Sequence, residues 1–241
     1  MKFFDTILNV IFPVNCVSCG KTGSSLCIEC LLNSKPAERE SATWIFPLFD
    51  YRQPPIKKSI WLLKYKGKKK LANTFAEIMY GRIIEELSEL SMMSNFSNPI
   101  LIPIPLSKKR YKERGYNQSQ LICEELIKIQ KRNETIPTSV SHSLIDRGAP
   151  SKSNILNKNF NLLNNVLIKI KNTEHQVNIK DRDTRLKNLS NSFLVKNSEL
   201  IKGRNIIVID DVLTTGATLT EAKKILKQFG VKKVIAFTIA H

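Results

Sequence analysis

The stretch Asn205 to Ile209 carries a continuous apolar run between polar neighbours, and it is followed at once by two aspartates, a glycine turn and a patterned helix. No other stretch constrains the fold as much. A run of this kind reads as a parallel strand covered on both faces. Thr218-Leu-Thr-Glu221 reads as a capping box, and the helix it opens places Leu219, Ala222, Ile225, Leu226 and Phe229 on one side. Gly230 stops the helix before a second strand, Lys233 to Ile239. Strand, helix and strand make a βαβ crossover, so the chain is expected to be α/β with a mostly parallel sheet flanked by helices.

The connection Asp210-Asp211-Val212-Leu213-Thr214-Thr215-Gly216-Ala217 has the residue types that suit a sugar phosphate. Backbone N–H groups of a tight turn aimed by a helix N-terminus make an anion nest, and Thr214, Thr215 and Thr218 add hydroxyl donors. Two adjacent carboxylates do not favour a phosphate. Asp210 and Asp211 instead suit vicinal ribose hydroxyls, with an associated Mg²⁺ as a second partner. The plain alternative, a capped loop with surface aspartates, has no need of acid, hydroxyl and glycine together behind a buried strand.

Four of the five cysteines crowd into fifteen residues as two C-x-x-C knuckles, Cys16/Cys19 and Cys27/Cys30. Four thiolates at about 2.3 Å complete a tetrahedral shell for Zn²⁺, and a closed shell is structural rather than catalytic. Redox disulfides and an iron–sulfur cluster are the competing readings. Cys123 stands alone among Leu121, Ile122 and Leu126 and reads as a small buried hydrophobe. The expected division is a zinc-binding module over residues 1–42 and an α/β domain over 43–241, with about 139–168 as an insertion or flexible loop.

The formal charge is +17, from 38 Lys and Arg against 21 Asp and Glu. Four thiolates with one Zn²⁺ would lower this to +15, still strongly basic. A polyanionic partner or a solvated basic surface both fit that balance. After a polar joint at Asn33 to Ser41, residues 44–51 read as a strand, and residues 57–70 hold seven lysines and no acid. In that segment Trp61, Leu62, Leu63 and Tyr65 interleave with Lys64, Lys66, Lys68, Lys69 and Lys70, a pattern for nucleic-acid phosphates. The alternative is a helix with a buried Trp61/Leu62 side and a wet lysine side. A helix over 71–90, a strand broken at Pro103 and Pro105, a second basic stretch with Lys108, Lys109, Arg110 and Lys112, and a helix over 117–131 follow.

No run reaches the ~18 apolar residues that span a bilayer, so a soluble, cytoplasmic protein is expected. The opening MKFFDTILNVIFP has an aspartate inside its apolar stretch and reads as a short amphipathic helix, not a signal peptide. His142, His175 and His241 lie in unpatterned contexts, so no Ser/His/Asp or Cys/His set is formed.

The aspartate loop resembles the phosphoribosyl-pyrophosphate (PRPP) signature of type I phosphoribosyltransferases. Together with LKYKG (63–67), PIPLSKKRYKERGYNQ (103–118), the set Thr173, Gln176, Arg185, Asn188 and Phe193, and the four-cysteine module, the chain resembles the competence factor F (ComF) family. That resemblance implies a type I phosphoribosyltransferase-like sheet behind a small zinc-ribbon-like module. It implies that Asp210 and Asp211 bind the ribose hydroxyls, and that Leu213 to Thr218 wrap the 5′-phosphate. Pro105, Leu106, Ser107 and Lys108 would border the pyrophosphate, with Arg114, Asn117 and Gln118 close by and Arg185 on a loop over the site. Lys169 stands where arginine is usual. The resemblance further implies DNA uptake in natural transformation, with PRPP, Mg²⁺, single-stranded DNA and the uptake machinery as partners. The alternative is an active phosphoribosyltransferase acting on a base or amine, for which the missing nucleophile is no obstacle, since transfer rests on positioning and charge stabilisation.

Overall fold

A computed structural model describes residues 14–38, 42–135, 159–170 and 192–241. The amphipathic opening segment and the set Thr173, Gln176, Arg185 and Asn188 lie outside the described residues. Five parallel strands make the main sheet in the order β1-β7-β6-β2-β3, with β1 at Ile45–Phe49, β2 at Ile100–Pro103, β3 at Asn161–Leu162, β6 at Asn205–Val212 and β7 at Lys233–Ala240. Two further strands, β4 (Leu167–Lys169) and β5 (Phe193–Val195), pair antiparallel. The helices are α1 (Ile28–Leu32), α2 (Pro54–Tyr65), α3 (Leu71–Ser94), α4 (Lys108–Arg114), α5 (Gln118–Thr135) and α6 (Ala217–Gln228).

Strand β6 shows why the sheet is central. Its alternate residues go to opposite layers: Ile207 and Ile209 join Phe75, Met79, Ile122 and Leu126 under α3 and α5, whereas Ile206 and Val208 join Leu219, Ala222 and Leu226 of α6. The helix after β2 therefore packs on one face of the sheet and the helix after β6 on the other. Neighbouring strands whose following helices leave to opposite faces open a crevice at their carboxyl ends, which is where α/β folds bind ligands.

Three sequence expectations are corrected. Thr218 does not cap α6: the helix starts two residues earlier than that box would place it, with Gly216 at the N-cap in the left-handed region (φ +73°) and no side-chain cap. A threonine cannot hold that backbone cheaply, so glycine takes the position and the box pattern is decoration. The α2 helix buries Ile56, Ser59, Ile60 and Leu63, not Trp61, because Pro54 and Pro55 start the helix early and set its phase. Within the 139–168 stretch, residues 159–168 are part of the fold, while 136–158 lie outside the described residues. Phe160 is buried against Tyr80, and Gln130 grips its backbone from both sides, Oε1 accepting from Phe160 N at 3.0 Å and Nε2 donating to its carbonyl at 3.4 Å. That anchor lets β3 pair with β2.

The polar joint is likewise built in. Ala37 N donates to Leu48 O and Asp50 N to Lys35 O, so residues 35–37 lie along the free edge of β1. Leu26 and Leu31, on either side of the second knuckle, are fully buried in the same cluster as Phe46, Ile56 and Phe75. Cys123 is buried there too, and burial pushes its thiol well above the ordinary range.

Candidate functional site

Strand β6 carries Asp210 and Asp211 at its carboxyl end, one strand from the exit of β2. Asp210 Oδ1 accepts from Ser119 Oγ at 3.2 Å and from Asp211 N at 2.8 Å. Asp211 Oδ1 is held at 2.7 Å by Lys64 Nζ, and both side chains are largely enclosed, 11% and 18% exposed. Leu213 N bonds to Ala240 O at 2.8 Å, and the chain then turns through Thr214, Thr215 and Gly216 into α6. No side chain caps the first turn of α6, so its N–H groups are left without a side-chain acceptor.

The exit of β2 is fixed by the RGYNQ element. Asn117 Nδ2 donates to Ile104 O at 2.9 Å and its Oδ1 accepts from Ser119 N at 3.0 Å, tying the strand end to the start of α5. Asn117 is thereby a structural tie, and it brings Ser119 to Asp210. Gln118 is fully buried, and neither end of its amide has a hydrogen-bond partner among the described residues. Pro105 and Leu106 are half-buried, Ser107 caps α4 by accepting from Arg110 N, and Lys108 is exposed. Arg114 turns to Tyr65, donating to its hydroxyl at 3.3 Å with the guanidinium 5.0 Å from the ring centroid.

Burial, seconded by the charge of Asp211, pushes Asp210 from its ordinary 3.8 up to about 7, against the pull of Asp211 N, Lys64 and Ser119. Lys169, on β4, has its ammonium pKa lowered by burial and by Arg110, with Asp210 opposing. A carboxyl whose folded pKa is raised stabilises the folded state below about pH 4 relative to its effect above pH 7, and this contribution fades between the two. Asp210→Asn is therefore expected to raise the melting temperature by a few degrees at pH 8, about 1–3 kcal/mol after allowance for partial exposure, and to change little at pH 4.5. Equal shifts at both pH values would count against the raised carboxyl.

The structure separates the lysines that sequence grouped. Lys64 belongs to the aspartate pair, whereas Lys66, Lys68, Lys69 and Lys70 are exposed beyond the end of α2. Lys108, Lys109 and Lys112 are exposed on α4, and Arg110 is half-buried. Sequence reasoning missed Ser119 and the pairing of Lys64. LKYKG and the residue after RGYNQ were the available signals, but neither says what it touches.

In the cysteine module, Cys16, Cys19, Cys27 and Cys30 bring their sulfurs within 4.8 Å of one another, with Cys19 Sγ and Cys27 Sγ 3.7 Å apart. Metal–sulfur bonds of about 2.3 Å in a tetrahedron put sulfurs about 3.8 Å apart. The group could therefore hold a metal ion. Cys16 N bonds to Lys21 O at 2.9 Å and Gly20 N to Cys16 O at 3.0 Å, the latter with Gly20 at φ +75°, so the first knuckle is a formed turn. Burial disfavours the Cys16 thiolate, but N–H groups of Cys19, Cys27 and Ser18 outweigh it and pull the thiol to about 6.

Residues 149–241 match the family model described as the phosphoribosyl transferase domain, which covers β3 to β7 and the aspartate loop. The chain is similar to Competence protein F of Haemophilus influenzae, 26% identical over 92% of this chain and 84% of that one. It is similar to DNA utilization protein YhgH of Escherichia coli K12, 25% identical over 91% of this chain and 80% of that one. It is also similar to Competence protein ComFC of Bacillus subtilis, 28% identical over 76% of this chain and 59% of that one. With a parallel sheet of this order, the aspartate loop on its central strand and four gathered cysteines ahead of it, the chain is similar to competence protein F and its relatives over most of its length, and its sheet is of the phosphoribosyltransferase type.

Proposed function

We propose that the protein binds PRPP as its Mg²⁺ complex at the carboxyl ends of β2 and β6 and acts in DNA uptake, where it contacts single-stranded DNA. The observation that carries the ligand is the convergence of Asp210 and Asp211 with the Gly216 turn on one crevice. Carboxylates suit the ribose hydroxyls, and the uncapped first turn of α6 suits the 5′-phosphate. Pro105 to Lys108 lie at the exit of the neighbouring strand, where the pyrophosphate of such a ligand would extend. Arg185, outside the described residues, keeps its proposed place on a loop over the site. The named relatives, competence and DNA utilization proteins, support the biological setting, and the charge of +17 suits a polyanionic partner. The four cysteines would hold Zn²⁺, the commonest ion for a closed thiolate shell. No helix among the described residues is long and apolar enough to cross a membrane, and a cytoplasmic location is part of the proposal.

Calorimetric titration of the whole chain with PRPP and Mg²⁺ tests the ligand: saturable one-to-one binding is expected, and no heat at millimolar ligand would overturn it. A second reading, transfer of the phosphoribosyl group to a base or amine, is favoured by Asp210, whose carboxyl titrates near neutrality beside the place of the ribose. Pyrophosphate release with a panel of bases and amines separates the two. Release with one acceptor makes the protein an enzyme, and binding with no release across the panel leaves it a PRPP-binding protein.

A further inference from the structure

A cavity of about 1010 Å³ lies between the cysteine module and the start of α3, and neither aspartate of the pair lines it. Ser24 and Ser25 of the cysteine module form one wall, and Lys68, Lys69 and Lys70 form the other. The acid on its lining, Glu125, is engaged by Lys128 Nζ at 2.7 Å and by the Asn73 amide at 3.3 Å. The cleft is therefore positive. Its lysine wall begins at Gly67, and Lys66, one residue earlier, places its ammonium 5.2 Å from the Trp61 ring.

Trp61 and Tyr65, on the outer side of α2, are 46% and 58% exposed, with ring centroids 6.3 Å apart. Each ring has a cation at its face, Lys66 on Trp61 and Arg114 on Tyr65. About half of each ring still faces solvent. Flat apolar faces edged with positive charge, joined through Lys66 and Gly67 to the lysine wall of the cleft, fit an unpaired base followed by its phosphates. A duplex keeps its bases stacked on one another and offers such rings nothing.

We propose that the cleft and the Trp61–Tyr65 pair form one track for a single-stranded polynucleotide, with phosphates between the knuckles and Lys68 to Lys70 and bases stacked on the two rings. This rests on the nucleic-acid part of the reading above and adds that the cysteine module is a wall of the binding surface. Tyr65 follows Lys64 in the chain, so the track ends beside the aspartate site.

Fluorescence anisotropy of the metal-loaded whole chain with a labelled oligo-dT of about 15 nucleotides, and with an abasic strand of the same length, tests it. Trp61→Ala and Tyr65→Ala are expected to weaken oligo-dT binding by about 5- to 150-fold each, the range for one stacked base, and to leave abasic binding nearly unchanged. Joint replacement of Lys68, Lys69 and Lys70 by Gln should weaken both strands alike and reduce the salt slope by about 2. Ser24→Glu, on the module side, should weaken both several-fold. Oligo-dT binding by the two aromatic variants equal to that of the unaltered chain overturns the proposal, as does a silent Ser24→Glu. Equal affinity of the unaltered chain for duplex DNA or for anionic phospholipid vesicles also overturns it, since charge alone would then explain binding. If the unaltered chain binds no strand at all, the nucleic-acid part of the proposed function fails with it, whereas binding indifferent to Trp61 and Tyr65 sinks only the track.

Discussion

Replacing Asp210 and Asp211 together with alanine is expected to lower PRPP affinity by about 10²- to 10⁴-fold, below calorimetric detection, while the sheet stays folded. A hydrogen bond to a charged group contributes about 1.5–3 kcal/mol, and each carboxylate would accept at least one ribose hydroxyl, so two such bonds give the range. The fold should survive for a specific reason at each position. Asp210 is held in surroundings that disfavour its charge, so its removal relieves the protein above neutral pH. Asp211 leaves a largely enclosed Lys64 without its partner, at a cost of up to about 3–5 kcal/mol, which the flexible lysine stem reduces by turning the ammonium to water and the relief at Asp210 offsets in part. Unchanged affinity in the double variant would remove the ligand site from the carboxyl end of β6.

The aspartate loop was legible because everything it needs is local: apolar strand, acids, hydroxyls and glycine follow one another within fourteen residues, from Asn205 to Thr218. The knuckles were legible for the same reason, since a C-x-x-C fixes its own turn. What sequence could not show joins distant segments. Lys64 meets Asp211 across the fold, and a lysine inside a run of lysines looks like charge for solvent or phosphate until its partner is seen. Strand β3 is two residues in an asparagine-rich stretch and exists because Phe160 is gripped by Gln130 and the β2 edge is free to receive it. The start of α6 lies two residues before the capping-box position because Gly216 occupies a left-handed position, which outranks the side-chain pattern that follows it.

Metal analysis of the protein is expected to find about one zinc per chain, and its removal by chelation, or by Cys27→Ser, should lower the melting temperature of the whole protein. A zinc module tethered as a separate bead would lose its own fold and leave the α/β domain at its original transition. Here the knuckles present Leu26 and Leu31 to the same buried cluster as Phe46 and Phe75. Full burial of each leucine contributes about 1.5–3 kcal/mol, so a released module withdraws about 3–6 kcal/mol from the shared core. For a chain of this size that corresponds to a fall of about 6–24 °C. The sheet itself should still form, because β6, β7 and the helices on both faces bury their own residues against one another. Circular dichroism and calorimetry on metal-loaded and chelated protein decide the matter: a lowered single transition fits a module built into the core, an unchanged transition makes the module independent, and protein that takes up no zinc at all refutes the metal site.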